Sequence, residues 1–344
     1  MKRQNVFLGV LSDYLSKHVT VTKGFSQNTV RSYTYTFQLL FVFLKETKVL
    51  AQEKISFSIL SQDTLESFLT WMEEKRGCCI STRNQKLSGL SAFAKYAVNR
   101  EPVMASGFYN AVRGIPKKKF SKTIPVYFTK EEISIRLRLP AGNGKTEYRN
   151  RTLLSVLYAT GARAQEICDV RVGDVCFGDR TSIKLLGKGN KARKVTIPAK
   201  CAALLKAYLT HENKLASLDS HVFSSQTNEH MSISCVEEIV KKYMRIAKQE
   251  NPLLFREKNY TPHSFRHSIA VHMLESGIPL PVIKNFLGHS SIEVTMIYAT
   301  VSDELKNKYL KENGITAALI EEGQKESRAR PCYPGLDFLL DIYF

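Results

Sequence analysis

Residues 261–299 read TPHSFRHSIAVHMLESGIPLPVIKNFLGHSSIEVTMIYA, and three helices can be marked off in them. Pro262 suits a first helical position, and Phe265, Ile269 and Met273 recur on one buried side. Pro281 opens a second helix that Gly288 closes, and a third is expected to begin near Ser291 and to contain Tyr298. His263 and Arg266 are three residues apart, so both lie on one face near the start of the first helix. Free N–H groups and the helix dipole favour an anion at that end. On these two residues alone, a capped helix with exposed polar side chains is as good a reading as an anion site. His263 and His267 also have the i,i+4 spacing of a zinc helix, but the glutamate of H-E-x-x-H is missing and no third ligand is evident. No metal is expected.

Working towards the N-terminus, residues 150–160 carry Leu153, Leu154, Val156 and Leu157, the pattern of a buried helix. Gly161 breaks it, and Arg163 follows. A guanidinium there can offer a phosphate a planar fork of donors, with Glu166 three residues on to orient it. Short β-like runs at 182–186 and 194–197 flank GKGNKAR, residues 187–193, a hairpin with a glycine-rich tip. Lys188 sits at that tip, between glycines that let backbone approach a ligand closely, where an ammonium could protonate a leaving oxygen. Lys191 and Arg193 are expected to add DNA contacts. His289 follows the stop at Leu287-Gly288, and Tyr298 lies downstream. Each of these residues has an ordinary alternative: a surface arginine, a basic turn, a core tyrosine among fifteen. Taken together and in order, they point to an enzyme that handles a phosphodiester with a tyrosine nucleophile. Gly142 to Thr146, GNGKT, resembles the end of a P-loop, but Leu139 stands where the first glycine is needed, so nucleotide binding is not expected.

Residues 5–110 have the periodicity of a small helical bundle. Ser26 to Asn28 can cap a helix carrying Val30, Tyr33, Phe37, Leu40, Phe41 and Leu44. Further helices fit 62–75 (Leu65, Phe68, Leu69, Met72) and 82–97 (Leu87, Leu90, Phe93, Tyr96), and helical patterns return at 200–214 and 233–249. Between the two halves, residues 114–125 read GIPKKKFSKTIP. Gly114, Pro116 and Pro125 interrupt regular structure, and Lys117, Lys118, Lys119 and Lys122 supply charge. A solvated interdomain linker accounts for it, as does a basic strap along phosphates. The expected organisation is a helical DNA-binding domain over 1–113, a basic linker over 114–126, a catalytic domain over 127–320, and a tail over 321–344 that docks on a neighbouring protomer or on its own surface.

The chain has 344 residues and a formal net charge of +18, which favours a polyanionic partner, most simply nucleic acid. No apolar run reaches membrane-spanning length, and the basic residues are spread along the chain, so a membrane partner is not expected. The N-terminus reads as an amphipathic helix rather than a signal peptide. The seven cysteines (Cys78, Cys79, Cys168, Cys176, Cys201, Cys235, Cys332) are odd in number and form no C-x-x-C pair, which suits reduced thiols in a cytoplasmic, nucleoid-associated protein.

In their order, YRNRTLLSVLYATGARAQEI, IKLLGKGNKARKVTIP and the 261–299 stretch resemble the catalytic boxes of the tyrosine recombinases, the phage integrases and Xer-type enzymes. NTVRSYTYTFQLLFVFL resembles, more weakly, the helical core-binding domain of that family. The resemblance implies a mainly α fold with a small β-sheet: an N-terminal helical bundle (SAM-like) and a mixed α/β catalytic domain. By motif position it assigns Arg163 and Arg266 as the paired arginines, Lys188 as the hairpin lysine, His263 as the proton acceptor, His289 as the later histidine and Tyr298 as the nucleophile. Tyr333 and Tyr343 lie outside the motif order. The implied activity is site-specific recombination or integration through a 3′-phosphotyrosine and a Holliday junction, with no cofactor. Its partners would be a double-stranded inverted-repeat core site, other copies in a tetramer, and an accessory protein or partner recombinase. The biological setting would be mobile-element integration or transposition, or Xer-like resolution. A type IB topoisomerase and a non-catalytic DNA-binding protein of the same fold are the alternatives. The first would relax any supercoiled plasmid, and the second would lose nothing on Tyr298→Phe.

Overall fold

The computed structural model describes residues 5–120, 125–140, 142, 144–187, 189, 191–257 and 259–298. The chain divides into two compact units, Met1–Lys122 and Thr123–Phe344.

The first unit is helical, as its periodicity requires. Helix α1 (Val6–Asp13) runs on through wider turns to Thr22, and is followed by α2 (Gln27–Lys48), α3 (Gln62–Glu74), α4 (Ile80–Arg100) and α5 (Pro102–Gly114). Ser26 and Ser61 cap α2 and α3, their hydroxyls accepting from the backbone N–H of Thr29 and Thr64. Pro102 occupies the first turn of α5, where its missing N–H is no loss. Leu65, Phe68, Leu69 and Met72 bury one face of α3, and each such side chain contributes about 1.5–3 kcal/mol. Phe93 of α4 centres the core, with its ring 5.0 Å from Phe37 and 5.8 Å from both Phe7 and Phe108. Beyond α5 the chain lies along α4: Asn84 donates to the Lys118 carbonyl at 2.8 Å and accepts from its N–H at 3.1 Å.

The second unit packs helices around a three-stranded antiparallel sheet in the order β1 (Val175–Cys176), β2 (Ser182–Leu186), β3 (Ala192–Thr196). Helices α6 (Lys130–Arg138), α7 (Lys145–Thr160) and α8 (Ala164–Asp169) precede the sheet. After it come α9 (Ala199–His211), α10 (Ile233–Glu250), α11 (Pro262–Glu275), α12 (Leu280–Leu287) and the short α13 (Glu293–Met296). The mainly α fold with a small sheet is therefore as the sequence led one to expect. Among the described residues, no helix is long and apolar enough to cross a membrane.

Register decides which β side chains meet the core. Ile183 pairs with Val195, and Leu185 with Arg193, on the inner face; Lys184 pairs with Lys194 on the outer face. Helix α11 is fixed from two sides. Its Ser268 hydroxyl accepts from Phe128 N–H at 2.7 Å. His272 lies between the Tyr158 hydroxyl (2.8 Å to Nδ1) and the Phe128 carbonyl (3.0 Å to Nε2). The carbonyl can only accept, so Nε2 carries the proton and Nδ1 accepts from Tyr158.

Two departures from the sequence reading matter for the site. Strand β1, two residues long, was not foreseen, since two residues show no alternation. Helix α13 ends at Met296, so Tyr298 falls in the turn after it, its N–H reaching back to Thr295 at 3.1 Å.

Candidate active site

Two glycine turns bring the pieces together. Gly161 ends α7 at φ 56°, and Gly288 ends α12 at φ 66°, a region that a side chain makes costly. A Cβ on Gly161 would stand 2.8 Å from Leu287 Cδ2, and one on Gly288 would stand 3.0 Å from Arg193 Cδ. Arg266, buried on α11, joins the two turns: its guanidinium donates to the Gly161 carbonyl and to the Leu287 carbonyl, each at 2.6 Å. Each Nη holds a second N–H beyond these bonds. Burial pulls its pKa down to about 10, the nearby Arg163 charge adding to the effect, so it stays charged at neutral pH.

Arg163 stands at the start of α8, two residues after Gly161. Glu166 reaches back to the Arg163 N–H at 2.8 Å and holds its Nη1 at 2.7 Å. The Arg163 side chain is 34 % exposed, and no described residue accepts from its Nε or Nη2. Glu166 is itself 3 % exposed and takes a bidentate pair from Arg193 at 2.9 and 2.8 Å. Burial works to raise the Glu166 pKa, but the bonds from Arg193 and Arg163 hold it below the usual carboxylate range. Arg193 also donates its Nε to the Phe286 carbonyl at 3.0 Å, tying β3 to α12. Arg193, expected as a DNA contact, faces inwards here, because it shares the inner face of β3 with Val195.

Tyr298 is 1 % exposed, packed with Ala270, Val271, Leu274, Ile283 and Leu287. Its hydroxyl is bonded to His267 Nδ1 at 2.9 Å, not to His263. The His289 ring stacks near it at 6.5 Å, and His289 Nδ1 meets the Thr295 hydroxyl at 2.9 Å. Burial raises the Tyr298 pKa to about 12, against the lowering pull of Arg266 and Arg163. Burial lowers His267 and His289 to about 4 each, helped at His267 by His263 and Arg266, and at His289 by Arg266 and Arg163. His263 is exposed one turn before His267 and has no hydrogen-bond partner among the described residues. Its pKa too is lowered, by the partial loss of solvent around the ring among its neighbours and then by Arg266 and Arg163.

Lys188 lies outside the described residues, but its neighbour Gly187 sits beside the site: a Cβ there would be 3.3 Å from Glu166 Oε1 and 3.8 Å from Arg163 Nη1. Of the other expected contacts, Lys117, Lys119 and Lys191 are exposed, and Lys118 is paired with Glu73 at 2.6 Å. Lys122 and the 321–344 tail lie outside the described residues. Sequence reasoning missed His267, set aside as half of a zinc pair, and the Lys184–Lys194 pair. Like charges directly opposite cost stability, and the alternation in SIKLL and ARKVT carried that signal.

Residues 127–304 match the model of the phage integrase family, and residues 7–113 that of the phage integrase SAM-like domain. The chain belongs to the phage integrase family of tyrosine recombinases. Tyrosine recombinase XerA of Pyrococcus furiosus is 31 % identical over 87 % of this chain and 91 % of its own length. A putative integrase/recombinase of Sinorhizobium fredii is 26 % identical over 94 % of both chains. XerH recombinase bound to a palindromic difH substrate, in a post-cleavage complex, shares the fold at a TM-score of 0.65 and 20 % identity, covering 91 % of this chain and 89 % of that one. Tyrosine recombinases are enzymes that break and rejoin DNA at specific sites, and the bundle-plus-catalytic-domain organisation expected of the family is the one found here.

Proposed function

We propose that Tyr298 attacks a DNA phosphodiester held by Arg163 and Arg266. The observation that carries this reading is convergence: Arg163, Arg266, His289 and Tyr298 come from four separate elements, and the two arginine charges act on Tyr298, His263 and His289. The guanidinium N–H groups left over on Arg163 and Arg266 suit the non-bridging oxygens and the charge that grows on them in the transition state. The tyrosine oxygen bonds to phosphorus while the bond to the 5′ oxygen breaks. His263 accepts the phenol proton, His289 donates to the phosphate, and Lys188 protonates the departing 5′ oxygen. The products are a 3′-phosphotyrosine and a 5′-hydroxyl. Attack by a partner strand's 5′-hydroxyl reverses each step, so the bond energy is kept and no nucleotide cofactor is needed.

Two such exchanges, through a Holliday junction and a tetramer on an inverted-repeat core site, recombine two duplexes in mobile-element integration, transposition or Xer-like resolution. Lys117, Lys119, Lys191 and the outer Lys184–Lys194 pair supply phosphate contacts, and each neutralised phosphate steepens the loss of affinity with salt. The test is covalent capture. The chain and its Tyr298→Phe variant are mixed with sheared double-stranded DNA of the source organism, washed under denaturing conditions, and the retained DNA is sequenced. Retention by wild type alone, gathered at an inverted repeat, is the expected outcome. Equal retention by the variant overturns it.

A further inference from the structure

We propose that a polar pocket at the start of α7 binds the phosphate group of a small molecule, at a site separate from the converging arginines and Tyr298. The pocket holds about 410 Å³ and lies between the first turns of α7 (Lys145, Thr146, Arg149), Tyr208 near the end of α9, and the 224–226 turn. That volume falls in the range of small-ligand sites, about 300–1,000 Å³, and exceeds what a bare phosphate fills. The 16 residues of α7 separate it from the Gly161 turn by about 24 Å.

Two side chains in the wall lack the partner that their burial calls for. Arg149 is 9 % exposed, and its guanidinium bonds only to neutral oxygens, Asn150 Oδ1 at 3.2 and 3.0 Å and the Ser224 carbonyl at 3.0 Å. Among the described residues no carboxylate pairs with it, and a buried charge is costly until an opposite charge meets it. Nη1 and Nη2 each keep one N–H for such a group. Tyr208 is 2 % exposed, its ring stacked on Phe223 at 5.7 Å, and its hydroxyl has no hydrogen-bond partner among the described residues. The charges of Glu212 and Arg149 both act on that hydroxyl, which sets it beside them in the pocket. Glu212 is the one carboxylate in the wall, and Lys145 at 2.9 Å and His211 at 3.2 Å already hold it, so a surplus positive charge remains. The N-cap of α7, Gly144, supplies no side-chain acceptor for the first-turn N–H groups, and Glu147 folds over Gly144 outside the pocket wall. GNGKT is no P-loop, since helix α6 and not a strand precedes it, yet its lysine and threonine stand at this pocket.

The probe is pyridoxal 5′-phosphate. Its phosphate seats the molecule, and its aldehyde condenses with a neighbouring lysine amine and releases water; borohydride then reduces the imine to a stable secondary amine. The full chain is labelled, digested and read by mass spectrometry at Lys145, with the exposed Lys200 as internal standard. Lys145 is expected to take about fivefold more label than Lys200, and inorganic phosphate, but not chloride at the same ionic strength, should suppress the excess. Tyr208→Phe keeps the ring and removes only the hydroxyl, so the phosphate concentration that halves the excess should rise about fivefold, the factor equivalent to the roughly 1 kcal/mol of a neutral hydrogen bond. Arg149→Met should abolish the excess. Equal labelling of Lys145 and Lys200, or a phosphate dependence that Tyr208→Phe leaves untouched, overturns the proposal. Suppression by a short double-stranded oligonucleotide, at phosphate concentrations where inorganic phosphate has no effect, would assign the pocket to the DNA backbone and overturn the small-molecule reading.

Discussion

Glu166→Ala gives the sharpest test of how the site is held together. The Glu166 carboxylate is 3 % exposed and accepts four hydrogen bonds, two from Arg193, one from the Arg163 side chain and one from the Arg163 backbone. Truncation leaves the Arg193 guanidinium, 11 % exposed, without its counter-charge. Breaking a buried ion pair from one side costs about 3–5 kcal/mol. Arg193 keeps its bond to the Phe286 carbonyl and some solvent contact, which places the expected loss near the lower end, about 3 kcal/mol. For a unit of this size, that corresponds to a fall in Tm of roughly 6–12 °C. Urea unfolding at neutral pH measures it, and Arg193→Met in the same background supplies the partner mutation for a double-mutant cycle. Removing both charges should recover most of the loss, with a coupling energy of about 2 kcal/mol. A single-mutant loss below about 1 kcal/mol, or a cycle with no coupling, would refute the view that this carboxylate locks β3 and α8 together.

Other outcomes follow from the same geometry. Arg266→Lys keeps the charge but cannot span the Gly161 and Leu287 carbonyls, so it should cost about 2 kcal/mol in urea unfolding and lower adduct formation by at least tenfold. Gly288→Ala forces a side chain into left-handed backbone against Arg193, and a loss of about 1–2 kcal/mol is expected; a neutral result would remove the steric reason for that glycine. His267 and His289 have folded pKa values near 4, below the ordinary value of about 6.5, so their contribution to stability is full above about pH 6.5 and is lost as pH falls towards 4. The urea midpoint should fall across that window, and less steeply in His289→Gln. A midpoint flat from pH 7 to 4 contradicts the burial of these rings.

Much of the frame was legible because its signals are periodic. Helix α3 was readable from Leu65, Phe68, Leu69 and Met72, and α11 from Pro262 and the apolar side that follows it. The converging site was legible only as a set, since each member sits in a turn or at a helix end where local pattern is weak. The direction of Arg193 was within reach: two residues from Val195 on β3, it had to face inwards, yet its charge suggested the surface. The role of His267 was hidden for a different reason. Its partner is 31 residues away, and no local pattern reports a contact made through the turn after α13. The end of α13 was missed because helical residue types continue past Met296 while the backbone tightens to a turn at Tyr298.

The most direct measurement maps the protein–DNA adduct. Covalent complexes formed on double-stranded DNA are digested with nuclease and trypsin, and the peptides are weighed. A nucleotide-mass addition on peptide 285–306, which holds a single tyrosine, and its loss in Tyr298→Phe, is the result expected. An adduct on a peptide containing Tyr333 or Tyr343, or one that persists in Tyr298→Phe, would contradict the assignment of Tyr298 as the nucleophile.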